Sequence, residues 1–335
     1  MRRRLWSMAI VVVAIGFVLS ILSLPLSSTV QADAEKDDPT AWGTDHINQE
    51  VPEYTTGGEC LFCHRDYVGP RWPKNLHNLT MRAPSPEDAA MQALASQPNG
   101  KALADEVTIL LGARDHVRYL KKLPAYGKAA TLASTFHPKK DGGKLEPAGE
   151  QHWEDDLFNN KCAGCHATAV DPETAGFGSP GLDCFVCHGI VEAEHAGKPE
   201  TTFFSPRRKD AQRAEVATCS QCHLRGGIAK SNGRPYPNNF IPEDNLLRDF
   251  EVDFSEKNLA QMDIIERHIF ANARDVLVGN KTEITCASCH SIHGESTKKH
   301  TELSETNDCK ICHEPGKAMS DVKLPTPRHS KTCQY

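Results

Sequence analysis

The chain has 335 residues, with 38 basic and 44 acidic side chains and a formal net charge of −6. This acidic balance argues against nucleic-acid binding, which requires a basic face. Only 39% of the residues are hydrophobic, whereas 13 are Cys and 16 are His. This share of cysteine is higher than in an ordinary cytosolic enzyme and lower than in a small disulfide scaffold. The composition therefore predicts that a non-protein group fills part of the core.

The N-terminus has the pattern of an export signal. Arg2, Arg3 and Arg4 precede an apolar run over residues 5–26, and Ala32-Asp33-Ala34 offers a small-x-small cleavage site. The run is about 22 residues long, which is also enough to span a bilayer. Residues 1–34 are thus either a cleaved signal peptide or a retained membrane anchor. In both cases the positive-inside rule predicts a periplasmic or otherwise extracytoplasmic protein, attached to the inner membrane if the segment is retained.

Residues 65–161 contain no cysteine, and they carry signals for local structure. A serine, a proline and two acidic residues predict a helix from about Ser85 to Gln97, which a Pro-Asn-Gly sequence then ends. Two runs of β-forming residues, 107–111 and 116–120, flank a glycine. They predict a small β-hairpin.

A longer helix is predicted from Glu256 to Val278. Ser255 can cap its start and Gly279 can end it. Apolar side chains recur at intervals of three and four and predict one buried stripe. The stripe consists of Leu259, Met262, Ile265, Ile269, Ala273 and Val276.

Twelve of the thirteen cysteines form six Cys-x-x-Cys pairs, and His follows every pair. In chain order, motifs 1 to 6 consist of Cys60, Cys63 and His64; Cys162, Cys165 and His166; Cys184, Cys187 and His188; Cys219, Cys222 and His223; Cys286, Cys289 and His290; and Cys309, Cys312 and His313. Two thiols at this spacing reach the two vinyl groups of one haem, and the adjacent imidazole is placed to bind its iron. This is the c-type haem attachment signature.

Two other kinds of site use the same cysteine spacing. Zinc binds Cys-x-x-Cys pairs but does not require His at the next position. A thioredoxin-like redox motif would occur once, within a βαβ unit. The sequence therefore predicts six covalently bound haem c groups, with the motif cysteines as attachment points and the six motif histidines as proximal iron ligands.

The motif spacing predicts the organisation of the chain after residue 34. Residues 35–161 would hold the first haem and a non-haem insert, and residues 162–335 a five-haem cytochrome core with a C-terminal tail. The 17 residues between His166 and Cys184 span about 23 Å as a flexible chain, so neighbouring haems should lie close together. Because haems would supply much of the core, we expect a mainly α fold with much irregular coil and little sheet beyond the hairpin.

Each iron that only carries electrons needs a sixth ligand. Ten histidines lie outside the motifs: His46, His77, His116, His137, His152, His195, His268, His293, His300 and His329. Met81, Met262 and Met319 are alternative ligands that would raise a reduction potential, but His is more abundant here. The unpaired Cys333 is either a free thiol or disulfide partner or a thiolate ligand.

Local patterns around the motifs resemble the multihaem cytochrome c superfamily. This superfamily includes the tetrahaem cytochrome of ammonia oxidisers and the nitrite reductase and hydroxylamine oxidoreductase relatives. The similar stretches are Gly58 to His64 followed by Trp72 and His77, motif 3 followed by Gly189 and His195, motif 5 followed by His293, and the upstream His268. The resemblance implies that His77, His195, His268 and His293 are distal ligands of neighbouring haems, with His116 and His300 as less well matched candidates.

The resemblance leaves two classes of function open. The chain lacks the Cys-x-x-Cys-Lys motif of the nitrite reductases, and no motif identifies a haem-linked tyrosine. We therefore expect an exported hexahaem cytochrome that carries electrons between redox partners. The alternative is an oxidoreductase acting on a small nitrogen or sulfur compound at one open-coordinate haem, which Arg or His donors would flank. A third hypothesis is that the protein is a subunit held in a membrane respiratory complex through residues 5–26.

The predicted charge of the loaded protein suggests its partner. Loss of residues 1–34 leaves 35 basic and 43 acidic side chains, or −8. Six haems with their propionates bring the charge to about −14 when oxidised and about −20 when reduced, which favours a partner with a basic patch. Local basic clusters at residues 207–209 and 298–299 are the alternative docking sites.

Overall fold

The computed structural model describes residues 38–147, 151–192, 195, 197–198, 210–279, 285–288, 290 and 292–294. The chain divides into two compact units, Met1–Ala41 and Trp42–Tyr335, and the elements below belong to the second. Within the described part of the chain, no helix is long and apolar enough to cross a membrane. Several predictions fall outside the described residues. They concern the segment 1–34, Cys289, motif 6, His300, His329, Met319, Cys333 and both basic clusters.

A six-stranded antiparallel sheet dominates the segment between motifs 1 and 2. Its strands are β1 (Met81–Arg82), β2 (Ile109–Leu111), β3 (Val117–Lys122), β4 (Ala129–His137), β5 (Lys144–Glu146) and β6 (Trp153–Glu154). The strand order is β1-β2-β3-β4-β5, and β6 pairs with the first half of β4. The expected mainly α fold with little sheet is therefore wrong, because this segment builds a core from its own side chains. The predicted hairpin is confirmed as β2–β3, which turns at Gly112 with φ +86°.

One face of the sheet is covered by helices α1 (Ala89–Ala95) and α2 (Gly100–Glu106). Leu94, Leu110 and Leu132 are fully buried in this layer. Helix α1 corresponds to the predicted helix 85–97 but begins four residues later than predicted. The reason is that the Asp88 side chain accepts the hydrogen bond from the Ala90 amide and so caps the helix.

The opposite face of the sheet packs on motif 2. Leu111, Leu120 and Ala129 meet Phe158 and Ala163. Phe158 belongs to α3 (Leu157–Lys161) and Ala163 to α4 (Ala163–His166), and the hairpin β7 (Ala167–Val170) and β8 (Phe177–Pro180) completes this layer. The sheet and motif 2 therefore share a core. The predicted domain boundary between residues 161 and 162 stays a prediction.

The other cysteine pairs lie on short helices. These are α5 (Gly57–His64), α6 (Cys184–His188), α7 (Ala211–His223) and a 3₁₀ turn (Cys286–Ser288). Further 3₁₀ turns are Trp72–Lys74, Asn78–Thr80 and Leu246–Arg248, and β9 (Ile228–Ala229) pairs with β10 (Phe250–Glu251). Buried Val216, Phe250, Phe270 and Leu277 form a second core around α7.

The predicted helix 256–278 is broken. It consists of α8 (Glu256–Leu259), α9 (Ile264–Ala273) and a π-helical segment (Arg274–Val278) that ends at Gly279. The Asp263 carboxylate caps a new start by accepting from the amides of residues 265 and 266. Ile265, a member of the predicted stripe, is 44% exposed because this restart changes the helical phase.

Candidate functional site

Helical geometry presents each cysteine pair and its histidine. Residues three apart lie on the same side of a helix, so Cys184 and Cys187 share one side of α6. The Asp183 side chain caps this helix by accepting from the Phe185 amide, and it also accepts from the Gly57 amide at 2.9 Å. A single carboxylate thus joins the start of α5, which carries motif 1, to the start of α6, which carries motif 3.

Three motif histidines each face a histidine from a distant part of the chain. The ring centroids of His64 and His195 are 6.0 Å apart, with 18° between the ring planes. The corresponding values are 5.8 Å and 10° for His188 and His293. His223 and His77 lie 6.3 Å apart at 75°. In every pair the second histidine follows a different motif.

These separations fit two axial ligands of one iron. A metal–imidazole bond of about 2 Å and a further ~1.2 Å to the ring centre put the centroids of two opposed rings about 6.4 Å apart. Rotation of the two rings about their common axis does not change this distance, so pairs with nearly parallel and with nearly perpendicular ring planes both fit. The three pairs therefore have the centroid spacing expected of two imidazoles that share one iron.

Hydrogen bonds orient two of the non-motif rings. His195 donates from Nδ1 to the carbonyl oxygen of Glu192 at 2.7 Å, and His77 Nδ1 lies 3.2 Å from Asn75 Oδ1. With an oxygen as acceptor, each contact places the proton on Nδ1 and leaves Nε2 available to a metal, as outer-sphere partners of metal-bound histidines do. Buried Asn75 also donates to the carbonyls of Ile292 and Gly294 at 2.8 and 2.6 Å. Asn75 therefore positions both His77 and the loop that carries His293.

Two motif histidines have lowered pKa values and are neutral at pH 7. Burial, followed by the charges of His293, His64 and His195, lowers the pKa of His188 to about 4. Burial, followed by His77, Arg225 and His290, lowers the pKa of His223 to about 4. Neutral imidazole is the form that binds a metal. The same interactions show that the pairs at motifs 1 and 3 are neighbours, and that motif 5 lies beside motif 4.

Attachment cysteines of different motifs lie in contact. The thiol of Cys60 hydrogen-bonds that of Cys184, and the thiols of Cys165 and Cys222 and of Cys219 and Cys286 do the same. Burial raises the pKa of the Cys187 thiol to about 11. Motif 4 on α7 consequently lies next to motifs 2 and 5, and motif 1 lies next to motif 3.

Other predicted ligands have different surroundings. His116 lies in the sheet region, where its ring is 4.8 Å from that of His137 at 83°, too close for binding on opposite sides of an iron. His268 is exposed on α9. Met81 is buried, and its sulfur accepts from the Gly181 amide at 3.3 Å. Half-buried His166 forms no ring pair within the described part of the chain, and its buried Nδ1 has no hydrogen-bond partner there.

Sequence reasoning named His46 among ten histidines outside the motifs but missed the contact that orients it. Its Nδ1 lies 2.9 and 3.0 Å from the two oxygens of Asp244, which is almost fully buried. Thr44 also donates to Asp244 at 2.8 Å. Because 198 residues separate the His and the Asp, no local pattern could have identified this contact.

Comparison with known proteins gives two similarities. No family model matches the chain. The Multiheme cytochrome MtrA of Shewanella baltica (strain OS185) is 22% identical over 232 residues, which cover 64% of this chain and 60% of the relative. The chain thus spans about 60% of the length of this curated relative. The undecaheme cytochrome from the S-layer of Carboxydothermus ferrireducens has a TM-score of 0.44 and 19% identity, and the match covers 79% of this chain and 44% of that one.

The narrower resemblance to the tetrahaem cytochrome of ammonia oxidisers stays a prediction. The broader one rests on the repeated Cys-x-x-Cys-His motifs and on the similarity to a multihaem cytochrome. Motifs and similarity together support the predicted resemblance to the multihaem cytochrome c superfamily.

Proposed function

We propose that this chain is an exported hexahaem c-type cytochrome that carries electrons between redox partners. The observation that carries the proposal is the set of three imidazole pairs with centroids 5.8 to 6.3 Å apart. An iron held between two imidazoles has no open position for a substrate, so such sites favour electron transfer over catalysis.

The roles of the residues follow from this arrangement. Each covalently attached haem supplies an iron that gains and loses one electron. The motif cysteines would hold each haem covalently, the motif histidines would bind its iron, and His77, His195 and His293 would bind the irons of the motif histidines that they face. Asn75 and the carbonyl of Glu192 keep Nε2 directed at the metal. The lowered pKa values of His188 and His223 keep both imidazoles in the neutral form that binds a metal.

The cysteine contacts suggest an order for the electron path. Motif 1 touches motif 3 through Cys60 and Cys184, whereas motif 4 touches motifs 2 and 5. The Cys187 thiol of motif 3 acts electrostatically on Cys219 and Cys222 of motif 4. We propose a path from motif 1 through motif 3 to motif 4, where it branches to motifs 2 and 5.

Location and partners are further parts of the proposal. Residues 1–34 support export, with cleavage and anchoring both compatible with the sequence. The acidic charge supports docking on a basic patch of a redox protein or of a membrane respiratory complex. Stopped-flow electron transfer at two ionic strengths tests this: exchange with a basic carrier should be faster at low salt. Faster exchange with an acidic carrier would contradict it.

The haem content and the ligands are tested together. Mass spectrometry of the denatured protein should show six covalent haems, because thioether bonds survive unfolding. Low-temperature electron paramagnetic resonance of the oxidised protein should then show low-spin irons at the paired sites. His195→Ala and His293→Ala should each convert one iron to high spin without loss of haem, whereas His152→Ala, which removes a largely exposed imidazole, should not. Fewer than six haems would contradict the central proposal.

A second candidate function is an oxidoreductase acting on a small nitrogen or sulfur compound at an open-coordinate haem. Motif 2 favours it, because no imidazole pairs with His166 in the described part of the chain. A high-spin iron in the wild-type protein whose signal changes when nitrite, hydroxylamine or sulfite is added would support this candidate. Six low-spin irons that do not respond would exclude it.

A further inference from the structure

The sheet face that packs on motif 2 changes from apolar to polar along β3 and β4. Beyond the apolar part lies an open cavity of ≈ 540 Å³, which we call the sheet cleft. The side chains that line it include His116, Arg118, Thr135, His137, Glu146 and Pro147.

The strand register explains why these side chains share one face. Arg118 pairs with Thr135, and Thr135 pairs with Glu146 on the next strand. Because side chains alternate along a strand, Arg118 points to the same face as Leu120, which packs on motif 2. The positive charge of Arg118 opposes the burial that raises the pKa of the Cys162 thiol. The sheet cleft is therefore adjacent to the attachment site of motif 2.

Arg118 is the uncompensated charge of the sheet cleft. The Glu146 carboxylate is already held by Lys140 at 2.8 and 2.9 Å and by Lys144 at 3.1 Å. Lys139 pairs with Asp115. Within the described residues, no carboxylate pairs with Arg118. A guanidinium without an acidic partner attracts an anion locally, against the net charge of −6 of the chain.

The donor groups suit an oxyanion better than a metal. Within the part of the chain that the structure describes, no three His, Cys, Asp or Glu side chains form a group that could hold a metal ion. The guanidinium of Arg118, the hydroxyl of Thr135 and the two imidazoles all offer N–H or O–H donors. The planar guanidinium matches two oxygens of a carboxylate or similar oxyanion.

We propose that the sheet cleft binds one carboxylate or small oxyanion, with Arg118 as its main contact, beside the haem attached to Cys162 and Cys165. The proposal rests on the proposed function for the presence of that haem. The anion has two sources with the same chemistry: a propionate of that haem, or a free oxyanion from solution.

The experiment compares the holoprotein with Arg118→Gln and with Lys122→Gln. Lys122 is an exposed cation on the same strand outside the sheet cleft, so its variant is matched in charge. Isothermal titration with sodium sulfite measures the free-anion source. One site in the wild type, weakened by about 10- to 100-fold in Arg118→Gln and unchanged in Lys122→Gln, supports it; the factor is that expected for a charged hydrogen bond.

The second measurement is a redox titration of the same three proteins. If a propionate occupies the sheet cleft, sulfite does not bind, and Arg118→Gln lowers the midpoint potential of one haem because the anion loses its counter-charge. Lys122→Gln should leave every potential unchanged. If Arg118→Gln and Lys122→Gln show the same sulfite affinity and the same midpoint potentials, the proposal is overturned. Haem content, counted separately by denaturing mass spectrometry, shows whether the proposed function failed instead.

Discussion

The sheet region and the cysteine helices are built in opposite ways. In the sheet region, Leu94, Leu110 and Leu132 are fully buried among other side chains. In contrast, α5 carries motif 1 with no buried residue, and α6 is a five-residue helix in which only Phe185 is buried. Isolated helices this short are unstable in water. The comparison suggests that the sheet folds on its own side chains, whereas the cysteine helices depend on the groups they bind.

Removal of haem should produce the largest difference between the two regions. Protein made in the cytoplasm without residues 1–34 receives no haem, and its cysteine helices should lose their structure while the sheet stays folded. Hydrogen exchange measures this directly: amides of β3 and β4 should remain protected, and those of α5 and α6 should exchange at the rate of an unfolded chain. Equal protection in both regions would contradict the comparison.

A core substitution in the sheet should destabilise the sheet without loss of haem from the cysteine helices. Leu132→Ala removes a fully buried side chain and should lower the free energy of unfolding of the sheet by roughly 2–5 kcal/mol. Exposed Phe62, which is 78% accessible on α5, provides the control Phe62→Ala. Protection of the sheet amides should fall only in Leu132→Ala, and both variants should keep six haems. Haem loss in Leu132→Ala would show that the regions are not independent.

A substitution of Asn75, which lies close to the cysteine helices, should have an effect of intermediate size. Asn75→Ala leaves the carbonyls of Ile292 and Gly294 without their donor, at a cost of about 1–3 kcal/mol. It also frees the His77 ring. We expect partial high-spin character at two irons, those paired with His223 and His188. Asn238 is also buried, and its amide bonds Asn48 and Ser231; Asn238→Ala should destabilise without changing spin state.

The same contrast explains what the sequence alone could predict. The attachment motifs are recognisable because covalent chemistry requires two cysteines at one spacing and an adjacent His. The β2–β3 hairpin is recognisable because its strands are neighbours around a glycine. The complete sheet is not, since β1 and β2 lie 26 residues apart and β4 has few strongly hydrophobic residues. The imidazole pairs are equally non-local: His64 and His195 meet only after folding.

The smallest expected effect concerns an exposed ion pair at the edge of the sheet. Hydrogen bonds from Lys140 and then from Lys144 lower the pKa of Glu146 to about 2 from an ordinary value of 4.5. A depressed pKa in the folded state means that the carboxylate stabilises the sheet above pH 4.5. This contribution is lost as the pH falls from 4.5 towards 2. Because the group is exposed, solvent screens the pair and the contribution is small. Thermal unfolding of the wild type and Glu146→Gln should therefore differ slightly at pH 6 and coincide near pH 2. A difference that grows on acidification would show that Glu146 is not held by these lysines.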